Sequence, residues 1–164
     1  MIEKTYPITE KLLASGLKST QQLFQLLNSE YEQLKQKTDP TALSTLAANK
    51  REVVAQLEQF SKQLGQVLAT EKLLTSQEGV MSYLAKAKAA DINIASSLQC
   101  WLDIEALCKK CRALNEQNGA SIDLLSRHTQ RCLQVLRGKS QLTATYGPDG
   151  TTRSVLFSHT LISV

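Results

Sequence analysis

The chain has 164 residues, 42% of them hydrophobic, which is enough for one domain with a buried core and excludes disorder as its default state. Only 5% is aromatic, and the apolar residues are mostly Leu and Ala among many Gln, Lys and Glu, a composition that favours long helices over a mixed sheet fold. The net charge of +4 is spread, with Lys and Arg alternating with Glu and Asp, so the cationic stripe that a nucleic-acid binder uses to displace counterions is missing.

The segment Met1-Ile2-Glu3-Lys4-Thr5-Tyr6-Pro7 carries an acid and a proline where a secretory signal needs an unbroken apolar core. No apolar run approaches the roughly 18 to 20 residues that cross a bilayer. A cytoplasmic protein without stable membrane insertion is therefore expected, and its four cysteines are expected to be reduced thiols.

Leu13, Leu17, Thr20, Phe24, Leu27, Tyr31 and Leu34 follow one another at alternating steps of four and three, the heptad signature of a helix that packs lengthwise. They predict a first helix over residues 9–37, with Pro7 just before its start and Gly16 weakening its first turns. At Thr38-Asp39-Pro40 the pattern breaks: Asp39 is suited to cap the next helix and Pro40 to occupy its first turn. So short a connection predicts an antiparallel hairpin.

The second helix repeats the spacing with Leu43, Leu46, Lys50, Val53, Leu57, Phe60, Leu64 and Val67. Lys50 is the charged member of this seam, placed either to fix register or to snorkel to water. Around residues 75–79 the heptads stop, and Ser76, Glu78 and Gly79 predict a loop before a short Ala-rich helix over residues 80–90. Asp91 is the expected cap of the next element.

A long third helix is predicted over residues 92–137 and is ended by Gly138. At about 1.5 Å per residue it would span roughly 70 Å against roughly 50 Å for the second, so part of it must outrun its partners. Its seam begins with Ile94, Leu98 and Trp101, continues through Cys111, then meets Asn115, Asn118 and Thr129 interleaved with Ile122, Leu125, Cys132 and Leu136. That polar break divides the helix into a first half assigned to the core and a second half partly available to a partner.

No helical period survives beyond residue 138. Tyr146-Gly147-Pro148-Asp149-Gly150 has turn chemistry, and residues 154–157 are able to pair as a strand if an edge is offered. The expectation is an all-α protein: an elongated antiparallel helical hairpin or three-helix bundle with coiled-coil-like packing over residues 1–138, and a flexible C-terminal tail over 139–164.

Chemistry competes weakly with packing. Cys108, Cys111 and Cys132 fall at helical spacing on faces that also carry Leu, and read as small buried hydrophobes. Cys108, Cys111, His128 and Cys132 would make a zinc set, but on one continuous helix Cys111 and His128 lie roughly 25 Å apart. Only a sharp turn at Asn118-Gly119 would join them. The Cys-X-X-Cys spacing lacks the βαβ context of a redox centre, and the residues around His128 lack the pattern of a phosphorelay histidine. No metal, cofactor or catalytic residue is assigned.

Asn115 and Asn118, three apart on one face, are expected to order a polar layer between helices. Gly119 in a helix interior costs roughly 1 kcal/mol relative to Ala, which a close backbone approach or a local bend would explain. Tyr146, flanked by glycine, offers a large amphipathic surface to a partner.

Leu114-Asn115-Glu116-Gln117-Asn118-Gly119, then Leu133-Gln134-Val135-Leu136-Arg137, then Tyr146-Gly147-x-Asp149-Gly150 stand in an order and at separations that resemble the FlgN family of flagellar export chaperones. The resemblance covers the last half of the long helix and the start of the tail, and fades after Gly150. It implies a binding protein that catalyses nothing and escorts hook-filament junction proteins to the type III export gate. By the same resemblance, Asn115, Asn118, Gly119, Gly147, Asp149 and Gly150 are motif positions.

Junction proteins have disordered amphipathic terminal segments, which an apolar helical stripe can hold in folded form. The candidate cargo anchors are Ile122, Leu125, Cys132, Leu133 and Leu136. Tyr146 is similar to the tyrosine with which flagellar chaperones engage the cytoplasmic domain of the export gate. A monomer or weak homodimer is expected. The competing class is a structural coiled-coil homodimer without cargo.

Overall fold

In the computed structural model, which describes residues 1–36, 39–136, 145–146 and 152–153, the first helix α1 (Ile2–Gln36) begins ahead of Pro7 instead of behind it. Pro7 is the sixth residue of α1, past the four amides that lack an intrahelical acceptor, so it forfeits the bond that an amide there would donate to the Glu3 carbonyl. Tertiary bonds offset that loss. The buried Tyr6 donates its hydroxyl to the Asn93 carbonyl at 3.0 Å and lies 2.9 Å from Ser97 Oγ. Thr9, also buried, donates to the Tyr83 hydroxyl at 3.0 Å.

The second helix, α2 (Pro40–Thr70), starts as its sequence predicts, with Asp39 accepting from the Thr41 amide at 3.0 Å and Pro40 in the first turn. Ser19 bonds Gln56 and Thr5 bonds Glu71, so α1 and α2 run antiparallel. The Phe60 ring occupies the space that a Cβ on Gly16 would take, and this close approach accounts for the glycine in α1.

α2 ends earlier than the heptads suggest. Lys72 adopts φ 57°, and the Leu73 amide returns to the Leu68 carbonyl at 2.9 Å while Lys72 bonds Ala69. That is a Schellman closure made without glycine, with Leu68 and Leu73 both packed in the core. Helix α3 (Gln77–Ala89) then begins within the expected loop, its cap Ser76 accepting from the Gly79 amide at 3.2 Å. A methyl group on Gly79 would overlap the Leu74 carbonyl oxygen.

The same closure ends α3. Asp91 has φ 59° and the Ile92 amide bonds the Ala87 carbonyl at 3.1 Å, so Asp91 terminates α3 and does not cap the next helix. That task falls to Asn93, whose Oδ1 accepts from the Ala95 amide at 3.1 Å at the start of α4 (Ala95–Leu136, 42 residues). α4 begins three residues later than predicted because the chain must first leave this left-handed turn.

Contacts divide the chain into two units, Met1–Ser121 and Ile122–Val164. Within the first, the architecture is all-α, the α1–α2 hairpin carrying α3 and the first part of α4. Tyr6, Leu64, Leu68, Val80, Tyr83 and Leu84 form its core, with Phe60, Leu98 and Trp101 packed on the margin.

α4 lies parallel to α1 in strict register. Ser97, Ile104, Cys111 and Asn118, every seventh residue, are its buried positions, and Tyr6, Leu13, Thr20 and Leu27 are buried on α1 at the same interval. The bonds from Tyr6 to Ser97, Cys111 Sγ to the Thr20 carbonyl and Asn118 to the Leu27 carbonyl all join residues 91 apart.

At the far end of this seam three helices meet through polar groups. Glu30, only 4% exposed, receives Lys50 Nζ of α2 at 2.9 and 3.0 Å and Asn118 Nδ2 of α4 at 2.9 Å. Lys50 is thus a register-setting residue of the hairpin. Its partner Glu30 is absent from the apolar pattern of α1.

In the second unit α4 continues to Leu136, and strands β1 (Thr145–Tyr146) and β2 (Thr152–Arg153) pair antiparallel, with Tyr146 opposite Thr152. The turn motif between them, the expected helix stop Gly138, the 154–157 segment and the expected flexibility of the tail lie outside the described residues.

Removing Glu30 tests the polar layer. Glu30→Ala strands the Lys50 ammonium and the Asn118 amide, and is expected to cost about 2 kcal/mol in denaturant unfolding, below the ~3–5 of fully buried pairs because Lys50 remains 25% exposed. Glu30→Leu combined with Lys50→Met and Asn118→Leu recovers most of that loss. Unchanged stability of Glu30→Ala would refute the role of the layer.

Candidate functional site

The spacing of seven that buries Ser97, Ile104, Cys111 and Asn118 reaches Leu125 and Cys132 next, and both of these are exposed. With about 100° between successive residues, Ile122, Leu125, Cys132, Leu133 and Leu136 occupy one face of about 100° of arc. Ile122 is 43% exposed, Leu133 44% and Leu136 82%. All five sequence-predicted anchors therefore stand on one open helical face. Thr129 lies among them, but its hydroxyl is turned back to the Leu125 carbonyl at 3.0 Å, which softens the polar interruption.

Sequence reasoning missed two residues here. Leu124 and Val135, 70% and 71% exposed, stand three turns apart on the adjoining face, on either side of His128. The signal was available in the sequence: inspection of the whole helical wheel past Asn118, not of one heptad stripe, places them together.

The remaining motif positions separate into different roles. Asn118 is buried and donates both to Leu27 and to Glu30, while its Oδ1 has no partner, so it orders the polar layer as expected. Asn115, by contrast, is exposed and takes no part in that layer. Three residues of helix advance the chain by about 300°, enough to move Asn115 off the seam that Asn118 occupies. Gly119 is exposed and nothing stands within 4 Å of where its Cβ would be, so no close backbone approach accounts for it. Tyr146 is described only through the pairing of β1 with β2. Gly147, Asp149 and Gly150 lie outside the described residues.

α4 runs unbroken through Asn118-Gly119, so the sharp turn that would unite Cys111 with His128 is not made. His128 Nδ1 does approach Cys132 Sγ, at 3.8 Å, one turn away on the same helix. Among the described residues no three His, Cys, Asp or Glu side chains converge as a metal site, and no helix is long and apolar enough to cross a membrane.

A model of the FlgN protein family matches residues 5–154, most of the chain. The chain belongs to the FlgN family. This is a family of flagellar export chaperones. No curated protein and no solved structure matches the chain. The FlgN match takes in the α1–α2 hairpin as well as α4, whereas the motifs visible in the sequence begin only at Leu114.

The four thiols of this FlgN chain are free and divide by environment. Cys111 is buried and packs as expected, but Cys108 and Cys132 are exposed, which corrects the reading of all three as core residues. Cys108 and Cys111 are three apart, so the α4 face that buries Cys111 against α1 carries Cys108 to its edge. Burial, with a smaller contribution from Cys108, pushes the Cys111 thiol up to about 11. One side of Cys108 lies against protein, and this desolvation, followed by the Glu105 carboxylate, raises its pKa as well.

The folded chain keeps the Cys111 proton that an unfolded chain releases near 9.0, so this thiol favours folding below pH 9 and loses that contribution as pH rises toward 11. Iodoacetamide at about pH 8 should therefore modify Cys132 readily and leave Cys111 unmodified until denaturant is added. Mass mapping of the alkylated cysteines checks this, and early labelling of Cys111 would contradict its burial.

Proposed function

We propose that this FlgN-family chain binds the amphipathic terminal segments of hook-filament junction proteins on the open face of α4, prevents their premature assembly and delivers them to the type III export gate. The observation that carries the reading is the exposure of Ile122, Leu125, Leu133 and Leu136 on one helical face of a flagellar export chaperone. In this reading the protein works in the cytoplasm, binds without catalysis, and uses residues 1–138 as the chaperone domain.

The energetics are of the right size. Micromolar capture requires about 8 kcal/mol, and ordering a disordered cargo segment consumes a further ~2–5. Burial of an aliphatic side chain yields about 1.5–3 kcal/mol, so five or six such contacts meet the requirement. Exposed ion pairs at about 0–1 kcal/mol each do not.

Tyr146 is assigned to the export gate. Support comes from its similarity to the gate-engaging tyrosine of flagellar chaperones and from its position within the family match, beyond the cargo face.

Calorimetry on the full chain separates the two roles. Leu133→Asp with Leu136→Asp should weaken capture of a junction-protein terminal segment by at least about 100-fold, some 3 kcal/mol. Unimpaired capture would remove the α4 face from the mechanism. Tyr146→Ala should leave cargo affinity within about twofold and weaken docking of the loaded complex to the gate's cytoplasmic domain about tenfold. Equal loss of both affinities would contradict the division of labour. Obligate dimers that ignore cargo in sedimentation would favour the coiled-coil scaffold instead.

A further inference from the structure

An apolar concavity lies wholly within the Met1–Ser121 unit. It is a groove of about 470 Å³ between α2 and α4, with Leu23 and Leu27 of α1 as its floor. Val54 of α2, 39% exposed, forms one wall, and Cys108 and Cys111 form the other. The parallel α1–α4 seam and the antiparallel hairpin leave this third side of the bundle open.

The charged residues that line the groove are Lys50, Arg51, Glu58 and Arg112, and Lys50 is held by Glu30 at 2.9 Å. Arg51 lines one end and Glu58 the other, seven residues or about 10 Å apart along α2, and neither makes an ion pair among the described residues. Arg112, on the opposite wall, is engaged by Glu116 at 3.2 Å. A carboxylate at one end and a guanidinium at the other, each without an ion-pair partner among the described residues, complement the two ends of a helix, whose N-terminus is partly positive and whose C-terminus is partly negative.

We propose that this groove docks an amphipathic helix of a partner protein, about three turns long, with its N-terminal end at Glu58 and its C-terminal end at Arg51. Apolar side chains at successive turns of that helix pack on Leu23, Leu27 and Val54, and basic residues near its start and acidic ones near its end complete the fit. The exposed end of α4 from a second copy fits poorly: Asp123 stands near its start and Arg127 and Arg131 follow, the opposite polarity. This site is separate from the face containing Leu133 and Leu136.

Two labelled alanine-based peptides of about 14 residues, each with leucines one turn apart, test the proposal against the full chain by fluorescence anisotropy. One carries lysines in its first turn and glutamates in its last, and the other has these charges exchanged. The exchanged peptide is the better isolated helix, so intrinsic helicity works against the expected result. The first peptide should bind about tenfold more tightly than the second. Val54→Glu, a change at an exposed position, should weaken it about tenfold, and the pair Arg51→Glu with Glu58→Arg should invert the preference. Leu133→Asp with Leu136→Asp should change nothing.

Equal affinities, no binding of either peptide, or an unaffected Val54→Glu variant would overturn the proposal. Self-association that Val54→Glu abolishes would assign the groove to a second copy and also overturn it.

Discussion

The bundle is held in register by one buried carboxylate. Glu30 receives a lysine from α2 and an amide from α4, so three helices share a single acceptor at the same level. An apolar seam with a period of seven tolerates slippage by whole heptads, because every leucine then meets another. A buried charge does not, since a shift would leave Glu30, Lys50 and Asn118 all unsatisfied away from water. The interval of 91 residues that recurs along α1 and α4 is the visible consequence. At the other end of the seam, the bonds from Tyr6 to Asn93 and Ser97 anchor the same alignment.

Along α4 the seam passes from buried to exposed positions. Up to Asn118 the seventh-residue positions of α4 are buried against α1, and from Leu125 onward they face solvent. The polar break at Asn115 and Asn118 falls at this point, and apolar residues resume beyond it.

Much of this was legible in the residues. Heptads located α1, α2 and α4, and Asp39-Pro40 marked the hairpin because its capping chemistry is local. Three features were hidden, each for a physical reason. Glu30 interrupts an apolar period, and only tertiary structure supplies the lysine and amide that make its burial tolerable. The ends of α2 and α3 use Lys72 and Asp91 in the left-handed conformation, so the glycine that usually announces a Schellman closure was missing. Pro7 looked like a boundary because the value of the Tyr6 and Thr9 bonds depends on residues more than seventy positions away. On the exposed end of α4, Ile122, Leu125, Cys132, Leu133 and Leu136 were legible as one stripe, whereas Leu124 and Val135 required the whole circumference of the helix.

The central claim is that residues 122–136 of α4 lack a covering partner in the free chain and acquire one with cargo. Amide hydrogen exchange resolved by peptide measures this directly. Free protein should protect residues 97–118 strongly and residues 122–136 weakly, and addition of a junction-protein terminal segment should slow exchange in 122–136 by at least about tenfold. Strong protection of 122–136 in the free chain, or no change there when the segment binds, would contradict the account.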